Sequence, residues 1–268
     1  MSIQLPRAWR FACQVAKVSA FITIPCYLHV TTRRVRAGQR LGITDEDDVA
    51  LPSFTESSTI RNYVNPHGKA SGAVDMHTVT LNVPLDKGIS DETILAQATK
   101  SFFNGWVFYP EAKALSLIKL GDFKYNKLAS TTVPAHIWSA AEISETALPE
   151  LHTVLFGAFR LADVHLADAE TQATTGSKQS HADFLFGSDM SEFCGCHRFS
   201  VERLEVDASG ETQKVKVQMQ SYACNPQSDV PGGKVILGFH RLYASLLFRE
   251  TVGEVHRGLA SAAPASAS

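Results

Sequence analysis

Apolar and β-branched residues dominate the run from Ala73 to Leu81 (AVDMHTVTL), which Pro84 closes, and this composition predicts a strand. The pattern then changes period. Ser90 is a helix cap with Asp91 and Glu92 at the positive end behind it. Ile94, Leu95, Ala98 and Phe102 follow at helical spacing, and Gly105 marks a stop. A second helix starts at Pro110, with Ala112, Leu115 and Ile118 on one face and Gly121 after it. Strand signals fill most of the second half. The segment 151–166 reads as one bent strand or as two with a bulge at Gly157, and Ala182 to Phe186 is another strand. The runs 197–206 and 212–223 flank Ala208-Ser209-Gly210-Glu211 and predict a hairpin. In it Phe199 and Val201 meet Val215, Val217 and Met219, while Lys214, Lys216, Gln218 and Gln220 face water. From Val235 to Val255 a broad stripe of Ile236, Phe239, Tyr243, Leu246, Leu247 and Val252 predicts a long amphipathic helix, relieved by Arg241, Arg249, Glu250 and Glu254.

The element order predicts an α+β fold: a curved antiparallel sheet gripping a long C-terminal helix, which buries the Phe239/Tyr243/Leu246 face on the sheet. An extra N-terminal helix precedes it. The apolar run 18–30 lies between Arg7, Arg10, Lys17 and Arg33, Arg34, Arg36. Its 13 residues are fewer than the ~20 that cross a bilayer, so it reads as a helix packed on the domain or lying on a membrane surface. The expected organisation is a helical segment 1–36, an irregular loop 37–70, a packed domain 71–258 and a disordered Ala/Ser/Pro tail 259–268. The acidic run Asp45-Glu46-Asp47-Asp48 reads as a solvated stretch of that loop.

Composition narrows the partners. With 25 Lys+Arg against 27 Asp+Glu, the net charge of -2 gives no global basic field for nucleic acid. Five cysteines, two of them in Cys194-Gly195-Cys196, make neither a disulfide framework nor paired CxxC zinc ligands. The expected setting is cytoplasmic, with peripheral membrane contact through residues 7–36 as the alternative.

The segments HADFLFGS (181–188), CGCHRFSV (194–201) and SYACNP (221–226) resemble the aromatic strand, glycine turn and closing strand of an uncharacterised branch of the START-like helix-grip superfamily. That superfamily includes polyketide cyclases and lipid-binding proteins. The resemblance covers roughly residues 75–255. It implies an apolar pocket between sheet and helix for a lipid, sterol or polyketide-like molecule, and it carries over no catalytic motif.

The chemistry candidates are polar groups on apolar elements. No phosphate-binding glycine loop, nucleophile elbow or HExxH is present, so no cofactor is expected. His181-x-Asp183, His240 and Arg249 mimic the ligand pattern of iron/2-oxoglutarate dioxygenases. His240 and Arg249 fall in the helical stretch, so the ligands are expected not to meet and no metal is expected. Asp163 and His165 form a second His/Asp set on one strand face. His181 and Asp183 share a face opposite Phe184 and Phe186. They enter the cavity if the phenylalanines pack outside it, and lie on the surface if the phenylalanines line it. In the cavity reading His181, oriented by Asp183, moves a proton, and Arg160 holds a polar end of the substrate. Tyr222, His240 and Tyr243 complete the candidate substrate contacts. The expected function is a cofactor-independent cyclase, dehydratase or isomerase acting on a hydrophobic polyketide- or terpenoid-like substrate. The alternatives are a non-catalytic lipid or sterol carrier at a membrane, and the dioxygenase.

Overall fold

A computed structural model describes residues 24–118, 125–167, 178–230 and 234–261. Within them the fold is α+β, with one curved, open, eight-stranded sheet. The strands are β1 (Thr44–Asp47), β2 (Ala73–Pro84), β3 (His136–Ile137), β4 (Val154–Leu155), β5 (Phe159–His165), β6 (Gln179–Gly187), β7 (Cys194–Val206) and β8 (Thr212–Cys224). Their order across the sheet is β1-β2-β8-β7-β6-β5-β4-β3, antiparallel throughout except between β3 and β4. Five helices accompany them: α1 (24–39), α2 (Pro52–Thr55), α3 (Asp91–Asn104), α4 (Tyr109–Ile118) and α5 (Lys234–Ser261).

The local chemistry explains these elements. The Ser90 hydroxyl accepts from the Thr93 N–H and caps α3, whose buried side is Ile94, Leu95, Ala98 and Phe102. In the β7–β8 hairpin Phe199 lies opposite Met219 and Val201 opposite Val217, all of them buried. Segment 151–166 splits into β4 and β5. The chain reverses at Phe156 (φ 52°) and Gly157 (φ 67°), where two successive positive φ values make a tight hairpin turn rather than a bulge.

The sheet is covered on both faces. Its inner face meets α3 and α5, and the core there holds Phe102, Phe184, Phe199, Val217, Leu247 and Phe248. Each such fully buried side chain contributes about 1.5–3 kcal/mol relative to exposure. The outer face carries a second core, where Phe54, Ile60 and Val64 pack on Leu185, Cys194, Cys196 and Cys224. The stretch 44–64 therefore supplies an edge strand and an outer lid, and the packed unit extends N-terminal of residue 71. It also corrects the reading of the acidic run: Asp45 pairs with His77 and Arg249, and Asp48 with Arg241. Gln218 and Gln220, expected in water, are buried; the Gln220 side-chain oxygen accepts from the Leu51 N–H.

Helix α5 buries part of the predicted stripe: Leu247 and Val252 are buried together with Ala244, Phe248, Thr251 and Val255, and Tyr243 packs against the core, whereas Phe239 is 67% exposed. The helix is rotated so that its inner side runs through Glu250, which is 1% exposed. Glu250 accepts from the Trp106 and Val107 N–H groups and pairs with Arg34 of α1, tying the α3–α4 corner to both terminal helices. Among the described residues no helix is long and apolar enough to cross a membrane. Residues 1–23 and 262–268, where part of the N-terminal segment and most of the tail were expected, lie outside the described residues.

Candidate functional site

A cavity of about 740 Å³ opens between the inner face of the sheet, α4 and the N-terminal half of α5. Its walls are aromatic and aliphatic: Phe102, Phe108 and Phe159 line one side, Phe186 and Phe193 another, and Leu115, Phe239 and Leu247 close the helical side. Sheet alternation places these side chains. Phe184 and Phe186 share the inner face of β6, and His197 shares the inner face of β7 with Phe199 and Val201.

Among the described residues the polar side chains lining this apolar space are His197, His240, Tyr243, Glu111 and Ser191. His197 and His240 lie stacked, with ring centroids 5.6 Å apart and planes 6° apart. Phe186 packs 4.6 Å from His197 and 5.7 Å from His240. Burial disfavours the charged imidazolium, so His197 is pushed down to about 3 and His240 below its ordinary value. Both rings are neutral at pH 7. His197 Nδ1 bonds the Ser221 hydroxyl at 3.0 Å, whereas the buried Nε2 of His240 has no protein partner. One turn further along α5, Tyr243 donates to Glu111 of α4 at 2.7 Å. Burial raises the pKa of Glu111, and the Tyr243 hydrogen bond partly offsets this.

Beside the histidines an ionic chain runs out to the surface. His77 Nδ1 meets Asp45 at 2.7 Å and His77 Nε2 lies 3.3 Å from Asp75, while the ring stacks on Phe248. Arg249 completes the chain at Asp45. Burial pushes His77 down, but its contacts with Asp75 and Asp45 and their charges outweigh this and leave it above its ordinary value. Burial likewise pushes Asp75 up, and the contact with His77 more than reverses the effect. The sign of the linkage follows. A raised His77 contributes stability fully below the unfolded value of ~6.5, and that contribution is lost as pH rises through its higher folded pKa. The depressed Asp75 contributes above ~3.9 and loses its contribution as pH falls through its lower folded pKa. Urea melts at stepped pH are expected to show a stability decrease from pH 6 to pH 9 that is absent in His77→Gln, and a flat comparison would refute the doubly paired imidazolium.

Of the residues singled out in the sequence, His240 and Tyr243 line the cavity. The other four do not. Because Phe184 and Phe186 face inward, His181 and Asp183 point to the outer face, with Leu185. There Asp183 is fully buried and both its oxygens bind Arg198, at 2.6 and 2.7 Å. His181 bonds Asp163 at 3.1 Å and stacks on His165. Asp163, His181 and Asp183 come close enough to share a cation. However, the Arg198 guanidinium already supplies the positive charge at Asp183, so the group is complete as an ion-pair cluster. The dioxygenase pattern is not assembled, because His181 and Asp183 lie on the face away from His240, and Arg249 is engaged with Asp45. Arg160 also points outward, because it lies opposite outer-face Leu185 between the inward-facing Phe159 and Leu161, and it donates to the Leu128 and Thr131 carbonyls. Tyr222 lies against the outer core and bonds Asn65 at 2.9 Å.

The reading from sequence missed Asp75, His77, His197 and Glu111. A signal existed for the first three: Asp75 and His77 are in phase with Val79, Leu81 and Val83, and His197 with Phe199 and Val201. Glu111 looked like an ordinary first-turn acid. No protein-family model matches the chain, and no curated protein matches it significantly.

Proposed function

We propose that this chain is a helix-grip protein of the START-like type, acting as a cofactor-independent cyclase, dehydratase or isomerase on a hydrophobic small molecule. The observation that carries the reading is the apolar cavity with a neutral His240, its Nε2 without a protein partner. Desolvation keeps that imidazole unprotonated, which suits a general base, and the apolar walls hold the reacting skeleton while excluding water. His197 packs against its ring and limits its rotation.

Titration with the neutral dye Nile red tests the site. One saturable site is expected, weakened at least about tenfold in Leu115→Trp, which fills the cavity; no saturable binding would sink the proposal. A second reading, a lipid carrier, is supported by the exposed Phe239 in the cavity wall and by the exposed Tyr109 and Leu117 of α4, the helix that borders the cavity. Native ligand recovered chemically unchanged after prolonged incubation would favour the carrier over the enzyme.

A further inference from the structure

We propose that the ligand of this cavity is a hydrophobic amine, bound as its ammonium form with Glu111 as counter-ion. The inference rests on the cavity being a ligand site, as proposed above, and narrows its substrate class. Among the described residues that line the cavity Glu111 is the one carboxylic acid, and none is a lysine or an arginine. Its hydrogen-bond partner Tyr243 is a neutral phenol, which solvates one carboxylate oxygen without cancelling the charge. A carboxylate facing an apolar cavity without a cation is costly, and the site as it stands supplies only a hydroxyl and the partial charge of the α4 N-terminus.

The surroundings complete a cation site. The rings of Tyr243 and Phe239 lie nearly parallel, 8° apart in plane and with centroids 6.0 Å apart, and this aromatic pair meets the carboxylate through the Tyr243 hydroxyl. An ammonium within about 6 Å of such a ring is attracted by its quadrupole. Lys113, the nearest lysine along α4, lies over the Tyr109 ring rather than in the cavity. The two histidines are neutral and do not repel a cation. An anionic head group, by contrast, meets no positive charge among the described lining residues and is repelled by the Glu111 carboxylate. The amine docks at the mouth beside Glu111, and its apolar skeleton extends inward toward His240.

Isothermal titration of the full chain with three matched probes tests this: 1-naphthylmethylamine, 1-naphthylmethanol and 1-naphthoate. The amine is expected to bind about tenfold or more tightly than the alcohol, with the carboxylate weakest. Glu111→Gln is expected to remove the amine's advantage, bringing the amine's affinity to about that of the alcohol measured in the same variant. Equal affinities of amine and alcohol in the wild type, or an amine preference that survives in Glu111→Gln, would overturn the amine assignment while leaving the cavity reading intact. If none of the three binds at millimolar concentration, the cavity reading fails and the amine assignment with it. The wild-type ratio decides the question even if the variant does not fold.

Discussion

Asp183→Ala is expected to destabilise the protein by about 3–5 kcal/mol, because it leaves the Arg198 guanidinium buried without its counter-charge. Asp183 is 0% and Arg198 2% exposed, and the guanidinium also lies 5.0 Å over the Phe54 ring and donates to the Ser53 carbonyl. Water cannot reach in to solvate the orphaned charge unless the outer lid of residues 52–64 lifts. For a chain of this size the loss corresponds to a melting-temperature drop of about 10 °C or more. Replacing both partners, Asp183→Leu with Arg198→Met, is expected to recover most of the loss, since two apolar side chains leave no buried charge. Calorimetric melts of the three variants decide the point; a single-variant loss under about 1 kcal/mol would mean that the pair is wet. Any activity lost in Asp183→Ala is then a consequence of unfolding and carries no information about catalysis.

The same pair shows why part of the site could not be read from sequence. Strand period, caps and turns were local: β2, α3 and the β7–β8 hairpin follow from residues within a few positions of one another. Which face of β6 looks inward was not local. An alternating strand identifies its inner face when the other face meets water, but β6 is covered on both sides, so Asp183 and Leu185 are as buried as Phe184. The cover comes from Phe54 and Val64, more than a hundred residues earlier, in a stretch whose acidic and Ser/Thr composition resembles a loop. The partners of Asp45 are non-local too: His77 lies 32 residues on, in the neighbouring strand, and Arg249 lies 204 residues on, in α5. The α5 stripe was broad enough to fit several rotations of the helix. The one chosen buries Glu250 because the backbone N–H groups of Trp106 and Val107 need an acceptor. Within the cavity, His240 and Tyr243 were legible as polar groups on an apolar helix. His197 was signalled by its phase with Phe199 and Val201, whereas Glu111 became identifiable only once α4 was placed beside the same space.

His240→Ala is expected to lower turnover of the native substrate by about 100-fold or more, the usual cost of losing a general acid/base, with ligand affinity changed far less. The ring has the required attributes. It lines the cavity, its Nε2 has no competing protein partner, and its burial holds it neutral. A base must be unprotonated to act. Because the pKa of His240 lies below its ordinary value, turnover is expected to fall on acidification only at a lower pH than it would with an unshifted imidazole as base. His197→Phe is the informative companion. It keeps an aromatic ring of similar size against His240 and removes the bond to Ser221, so it is expected to change turnover much less than His240→Ala. Stability of both variants is checked by urea melts, so that a folded His240→Ala with full turnover would dismiss His240 as the base. In that event shape and exclusion of water do the catalysis, or the protein carries its ligand unchanged.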